Sequence, residues 1–143
     1  MSAPPLYTPA MLAAAVELAD HPIFAHADRE GTARAKVCGS HLAITAMLDV
    51  HERIDRVGVQ VHACAVGQAS AAVFVRHAAG RSAGEIAATF DGLKAWLEGE
   101  GPMPDWPDLS LIAPTRDFPA RHGAILLPWK AAGDALSRGG ASG

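Results

Sequence analysis

Between Gly31 and Cys64 apolar residues recur at every second position. Ala33, Ala35 and Val37 alternate with Thr32, Arg34 and Lys36; Leu42, Ile44, Ala46 and Leu48 follow Cys38-Gly39-Ser40; and Val57, Val59 and Val61 lead into Cys64. A period of two marks a strand with one buried face. Three such runs joined by short polar connections, with Asp49 to Arg53 as one turn, predict an antiparallel meander whose apolar face needs cover.

On either side of this block the period is helical. Thr8-Pro9 has the form of a helix start, a capping hydroxyl followed by proline at the first helical position. Leu12, Ala15, Val16 and Ala19 continue it to His21-Pro22, and Tyr7 is placed to pack just outside it. A small-residue helix is expected from Ala65 to Ala79, stopping at Gly80. Ser82 and Glu85 have capping-box spacing, with Ile86, Phe90, Leu93 and Leu97 as the apolar stripe of the helix they open. Gly99 to Pro107 reads as a loop, with Trp106, Leu109 and Leu111 pinning a short helical turn. After Phe118 to Lys130, residues Ala131, Ala132, Ala135 and Leu136 suggest a last helix. Strands followed by helices give an α+β domain, a three-stranded antiparallel sheet covered by helices.

The 143 residues, half of them hydrophobic, suit one domain spanning 1–143, with 1–6 and 138–143 expected to fray. A net charge of -3, with Lys and Arg scattered along the chain, argues against nucleic acid as a partner. No run of about 18 apolar residues and no export signal is present, so the expectation is a cytoplasmic protein with reduced thiols and no membrane partner.

Chemistry concentrates on the two cysteines, Cys38 and Cys64. Each ends an alternating run beside glycine or histidine, where metal or sulfur chemistry has access; two inert core thiols are the alternative. No Ser-His-Asp set, phosphate loop or paired-carboxylate motif accompanies them.

The order of strand, Cys38-Gly39, two strands, Cys64, small-residue helix and serine-capped helix, followed by Arg121-His122-Gly123-Ala124 and Leu127-Pro128-Trp129-Lys130, resembles the U-type iron-sulfur cluster assembly scaffolds. This is the NifU N-terminal, IscU and SufU group, and an extra loop after Cys64 places the chain nearer SufU. The resemblance covers about Tyr7 to Leu136. It implies a SufE/NifU-like fold, and a scaffold or sulfur acceptor rather than a turnover enzyme. It also implies zinc or an iron-sulfur cluster as the bound species, and a cysteine desulfurase with other assembly proteins as partners. The oligomeric state stays open.

In that family three cysteines and an aspartate converge. Cys38 and Cys64 match two of the cysteines, Ser40 stands at the aspartate and Ala124 at the third cysteine. Gly123 stands where one branch has histidine. Two of the four ligand positions therefore keep their donors, and a serine hydroxyl is a poor one. His41 and His62, adjoining the cysteines, are the better placed imidazoles to substitute, without a basis for choosing between them; His122, two positions before Ala124, would point away from a ligand there, and Arg121 is a candidate to steer a persulfide or carboxylate. Two readings follow: a scaffold that binds iron or zinc or accepts sulfur through Cys38 and Cys64, or a degenerate homologue acting as a binding or regulatory partner of the assembly machinery.

Overall fold

The computed structural model describes residues 8–36 and 39–141, with 138–141 by backbone only; Tyr7, Val37 and Cys38 lie outside the described residues. Strands β1 (Arg29–Arg34), β2 (His41–Leu48) and β3 (Ile54–His62) form an antiparallel sheet in chain order, as the alternation predicts. The register fixes which residues share a face. Gly31, Ile44 and Val59 share a rung that points into the core, whereas Arg34, His41 and His62 share the last outward rung.

The inner face is covered by α2 (Ala65–His77) and α4 (His122–Ala141); α3 (Ala83–Leu97) packs on α4, and α1 (Pro9–Val16) on α2. This is the expected α+β arrangement. Thr8 caps α1, its hydroxyl accepting the Met11 N–H at 3.1 Å, and the helix tightens into a 3-10 turn over Glu17–Asp20 before Pro22. The Ser82–Glu85 capping box forms with both of its reciprocal bonds. Phe74, Trp106 and Trp129 meet in one aromatic cluster with ring centroids 5.3 to 5.5 Å apart, so Trp129 is core as its surroundings in the chain suggest.

The last helix differs from the sequence reading. It starts at His122 instead of after Lys130, and its backbone runs through Ala141, past the start of the expected frayed tail. Pro128 lies inside it. A proline there cannot supply an N–H to the Ala124 carbonyl and strains the turn before it. The next carbonyl, that of Ile125, accepts the hydroxyl of fully buried Ser70 at 2.6 Å, a bond from α2 that anchors the perturbed turn. α4 also crosses β1 closely. A Cβ on Gly31 would lie 2.5 Å from the Ala131 carbonyl oxygen and 2.5 Å from the Ala135 nitrogen, so only glycine admits this approach.

Candidate functional site

Three segments meet at the end of the sheet where the outward rung of Arg34, His41 and His62 lies. The first is the turn between β1 and β2. The Gly39 N–H donates to the Ala35 carbonyl at 2.9 Å and the Ala35 N–H to the Ser40 carbonyl at 2.8 Å, which ties Ala35 to Gly39 and Ser40. Gly39 has φ of 72°, a left-handed angle, and a Cβ on it would meet nothing within 4 Å; the backbone angle, not crowding, calls for glycine. Ser40 is 6% exposed, so its side chain points inward.

The second segment is the corner from β3 into α2. Cys64 is the N-cap of α2, with extended φ and ψ of -67° and 174°, and no side chain caps the first turn. Its thiol is half-buried against the edge of the core. Gln68 braces the corner, its N–H donating to the Cys64 carbonyl and its side-chain amide to the Ala63 carbonyl, each at 3.0 Å.

The third segment is the start of α4. A Cβ on Gly67, three residues beyond Cys64 and so on the same side of α2, would lie 3.3 Å from the Ala124 Cβ. One on Gly123 would lie 3.1 Å from the Ala35 Cβ. Ala35, Gly39 and Ser40, positions 64–67 and positions 123–124 therefore form three walls of one corner. Those are the segments to which the sequence resemblance assigns the ligand positions. Cys38 itself lies outside the described residues.

The other predicted residues are placed as follows. The His41 and His62 rings stack with centroids 4.6 Å apart on the outward face, and His41 Nδ1 is buried without a hydrogen-bond partner among the described residues. His122, the first residue of α4, donates its Nε2–H to the Arg116 carbonyl at 2.6 Å. Arg121 is half-buried in the 3-10 turn Pro119–Arg121 that precedes it. Among the described residues no three His, Cys, Asp or Glu side chains lie close enough to hold a metal ion. Ala35 was not singled out by sequence reasoning although it touches two of the walls; no chemical feature distinguishes it from any other small strand residue.

No protein-family model and no curated protein matches the chain. Solved structures do. The N-terminal NifU-like protein of Brucella abortus superposes with a TM-score of 0.87 at 28% identity, covering 96% of each chain. The chain is similar to the U-type iron-sulfur scaffolds in both fold and sequence. The SUF-system scaffold SufU of Fervidobacterium islandicum AW-1 shares the fold, with a TM-score of 0.78 at 21% identity over 92% of this chain and 96% of its own. Of these two matches the higher identity is to the NifU-like chain.

Measured against the donor set that the resemblance implies, that of this chain is incomplete. Ser40 supplies a buried hydroxyl, and Gly123 and Ala124 supply no donor side chain. Together with Cys38 and Cys64 this does not fit a resident four-donor metal site, which takes thiolates, imidazoles or carboxylates at every vertex. Among the described residues no helix is long and apolar enough to cross a membrane.

Proposed function

We propose that the protein is an iron-sulfur cluster assembly factor of the sulfur-acceptor type, with Cys38 and Cys64 as the thiols that take sulfur from a cysteine desulfurase. The observation that supports this reading is the corner: Gly67 in the Cys64 segment faces Ala124, Ala35 before the first cysteine faces Gly123, and the sequence keeps both cysteines where positions 123 and 124 carry no donor. Half-buried Cys64 at a braced helix start gives a thiol that is both accessible and fixed in direction. In the transfer an acceptor thiolate attacks the outer sulfur of the desulfurase persulfide. A new S–S bond forms on the acceptor, the old S–S bond breaks, and the desulfurase cysteine leaves as thiolate. Arg121, beside the corner, is the residue assigned to steer the incoming anionic sulfur.

The second reading, a homologue that has lost the metal site and serves as a binding or regulatory partner of the machinery, is favoured by the missing donors at 123 and 124. Anaerobic incubation with a cysteine desulfurase and L-cysteine, followed by intact-mass measurement, separates the two. A gain of about 32 Da per acceptor thiol, one sulfur atom added to a thiol, reduced in each of Cys38→Ser and Cys64→Ser and absent from the double variant, supports the first. Unmodified wild-type protein supports the second.

A further inference from the structure

A cleft of about 580 Å³ opens on the outward face of the sheet, lined by the cations Arg34, Lys36 and Lys130. They come from three places in the chain: the end of β1, the turn after it, and α4. Lys130 is held there by its ammonium donating to the Arg34 carbonyl at 3.5 Å. The His41–His62 stack forms the floor of the same cleft, and Thr32 and Gln60 add a hydroxyl and an amide one rung further in.

The charge balance is the decisive feature. The chain as a whole carries 15 acidic residues against 12 Lys and Arg, yet no carboxylate lines this cleft. None of Arg34, Lys36 and Lys130 takes part in an ion pair among the described residues. Two carboxylates on the same elements lie outside the lining: Asp134 accepts the Thr32 N–H at 3.0 Å, and Glu30 is two outward rungs away from Arg34 toward the other end of β1. Three cations gathered in a concave site without an ion pair among the described residues repel one another, a cost that an anion seated between them removes. A guanidinium paired with ammonium groups matches oxygen anions with more than one charge, the guanidinium by paired N–H bonds and the ammoniums as point charges. The volume lies in the range of small-molecule sites.

We infer that this cleft binds a small multivalent oxyanion, a polyphosphate or a polycarboxylate, beside the thiol corner and independently of sulfur acceptance. The site does not use Cys38 or Cys64, so its failure and that of the proposed function are read in different experiments.

The test is calorimetric titration of the full chain at low ionic strength with two probes, pyrophosphate and citrate. One-site saturable binding is expected for at least one of them, weakening as salt is raised. The Arg34→Gln/Lys130→Gln double variant, with far-UV circular dichroism unchanged, is expected to bind at least tenfold more weakly. Lys94→Gln, on the exposed side of α3, is expected to bind as wild type does. The tighter probe assigns the ligand to phosphate or to carboxylate chemistry. Absence of saturable binding for both probes, or a folded double variant that binds as tightly as wild type, overturns the inference.

Discussion

Replacing Ala124 by cysteine puts a thiol at the position that the resemblance matches to a third cysteine and tests whether the corner can then hold metal. Ala124 is fully buried, and the neighbouring wall at Gly67 carries no side chain, so a sulfur has room on the α2 side. Adding it to a packed corner costs about 1–3 kcal/mol of stability in the absence of metal. A four-ligand structural zinc site contributes about 10–16 kcal/mol, or about 2.5–4 kcal/mol per donor if shared evenly. One regained thiolate thus strengthens zinc binding by about 10²–10³-fold. Because zinc bound to the native state raises stability by mass action, urea denaturation with and without zinc reads both effects. Ala124→Cys is expected to start less stable than wild type and to gain about 2.5–4 kcal/mol more from zinc once zinc exceeds both dissociation constants. Equal zinc-induced stabilisation of the two proteins, with the new cysteine alkylated as fast as an exposed thiol, would refute the assignment of position 124 to the corner.

Three further outcomes test the packing and the electrostatics of the fold. Gly31→Ala is expected to destabilise by about 1–3 kcal/mol or more in urea, because the atoms met by its Cβ are backbone and cannot turn aside; a loss below about 0.5 kcal/mol would mean that α4 lies further from β1. Ser70→Ala should cost about 1–3 kcal/mol by stripping the Ile125 carbonyl of its buried donor, and a near-neutral result would show that the turn before Pro128 needs no support from α2. Acid sensitivity follows from the Arg76 network. The Arg76 guanidinium, donating to both Glu17 oxygens, holds the Glu17 carboxyl below its ordinary value; His77 first and Arg76 after it do the same for Asp108. Both groups have depressed folded-state values, so their contribution is fully present above the ordinary carboxylate values and is lost as pH falls through the folded ones. The acid limb of a stability-pH curve should therefore be shallower in Arg76→Ala, and an unchanged limb would remove the network from the account.

The strands were legible because period-two alternation survives in sequence wherever one sheet face is buried, and the Ser82 box because its spacing is local. The start of α4 was not, since Pro119 and Pro128 read as helix breakers and the bond that accommodates the second comes from Ser70, 58 positions earlier in the chain. The 3-10 turns at Ala113–Asp117 and Pro119–Arg121 carry no apolar period at all. At the site, Cys64 was visible as a strand end that becomes a helix cap. The pairing of His41 with His62 was not, because it depends on a strand register that neither run states alone. Arg34, Lys36 and Lys130 looked scattered along the chain for the same reason: a turn and a distant helix bring them together only in the fold.

The central claim is that Cys38 and Cys64 are sulfur acceptors, and the most direct measurement is sulfane sulfur on the chain after anaerobic reaction with a desulfurase and labelled L-cysteine. Wild-type protein is predicted to carry reductant-releasable label, with less in Cys38→Ser, less in Cys64→Ser and none in the double variant. Label absent from wild type, or present at the same level in the double variant, would contradict it.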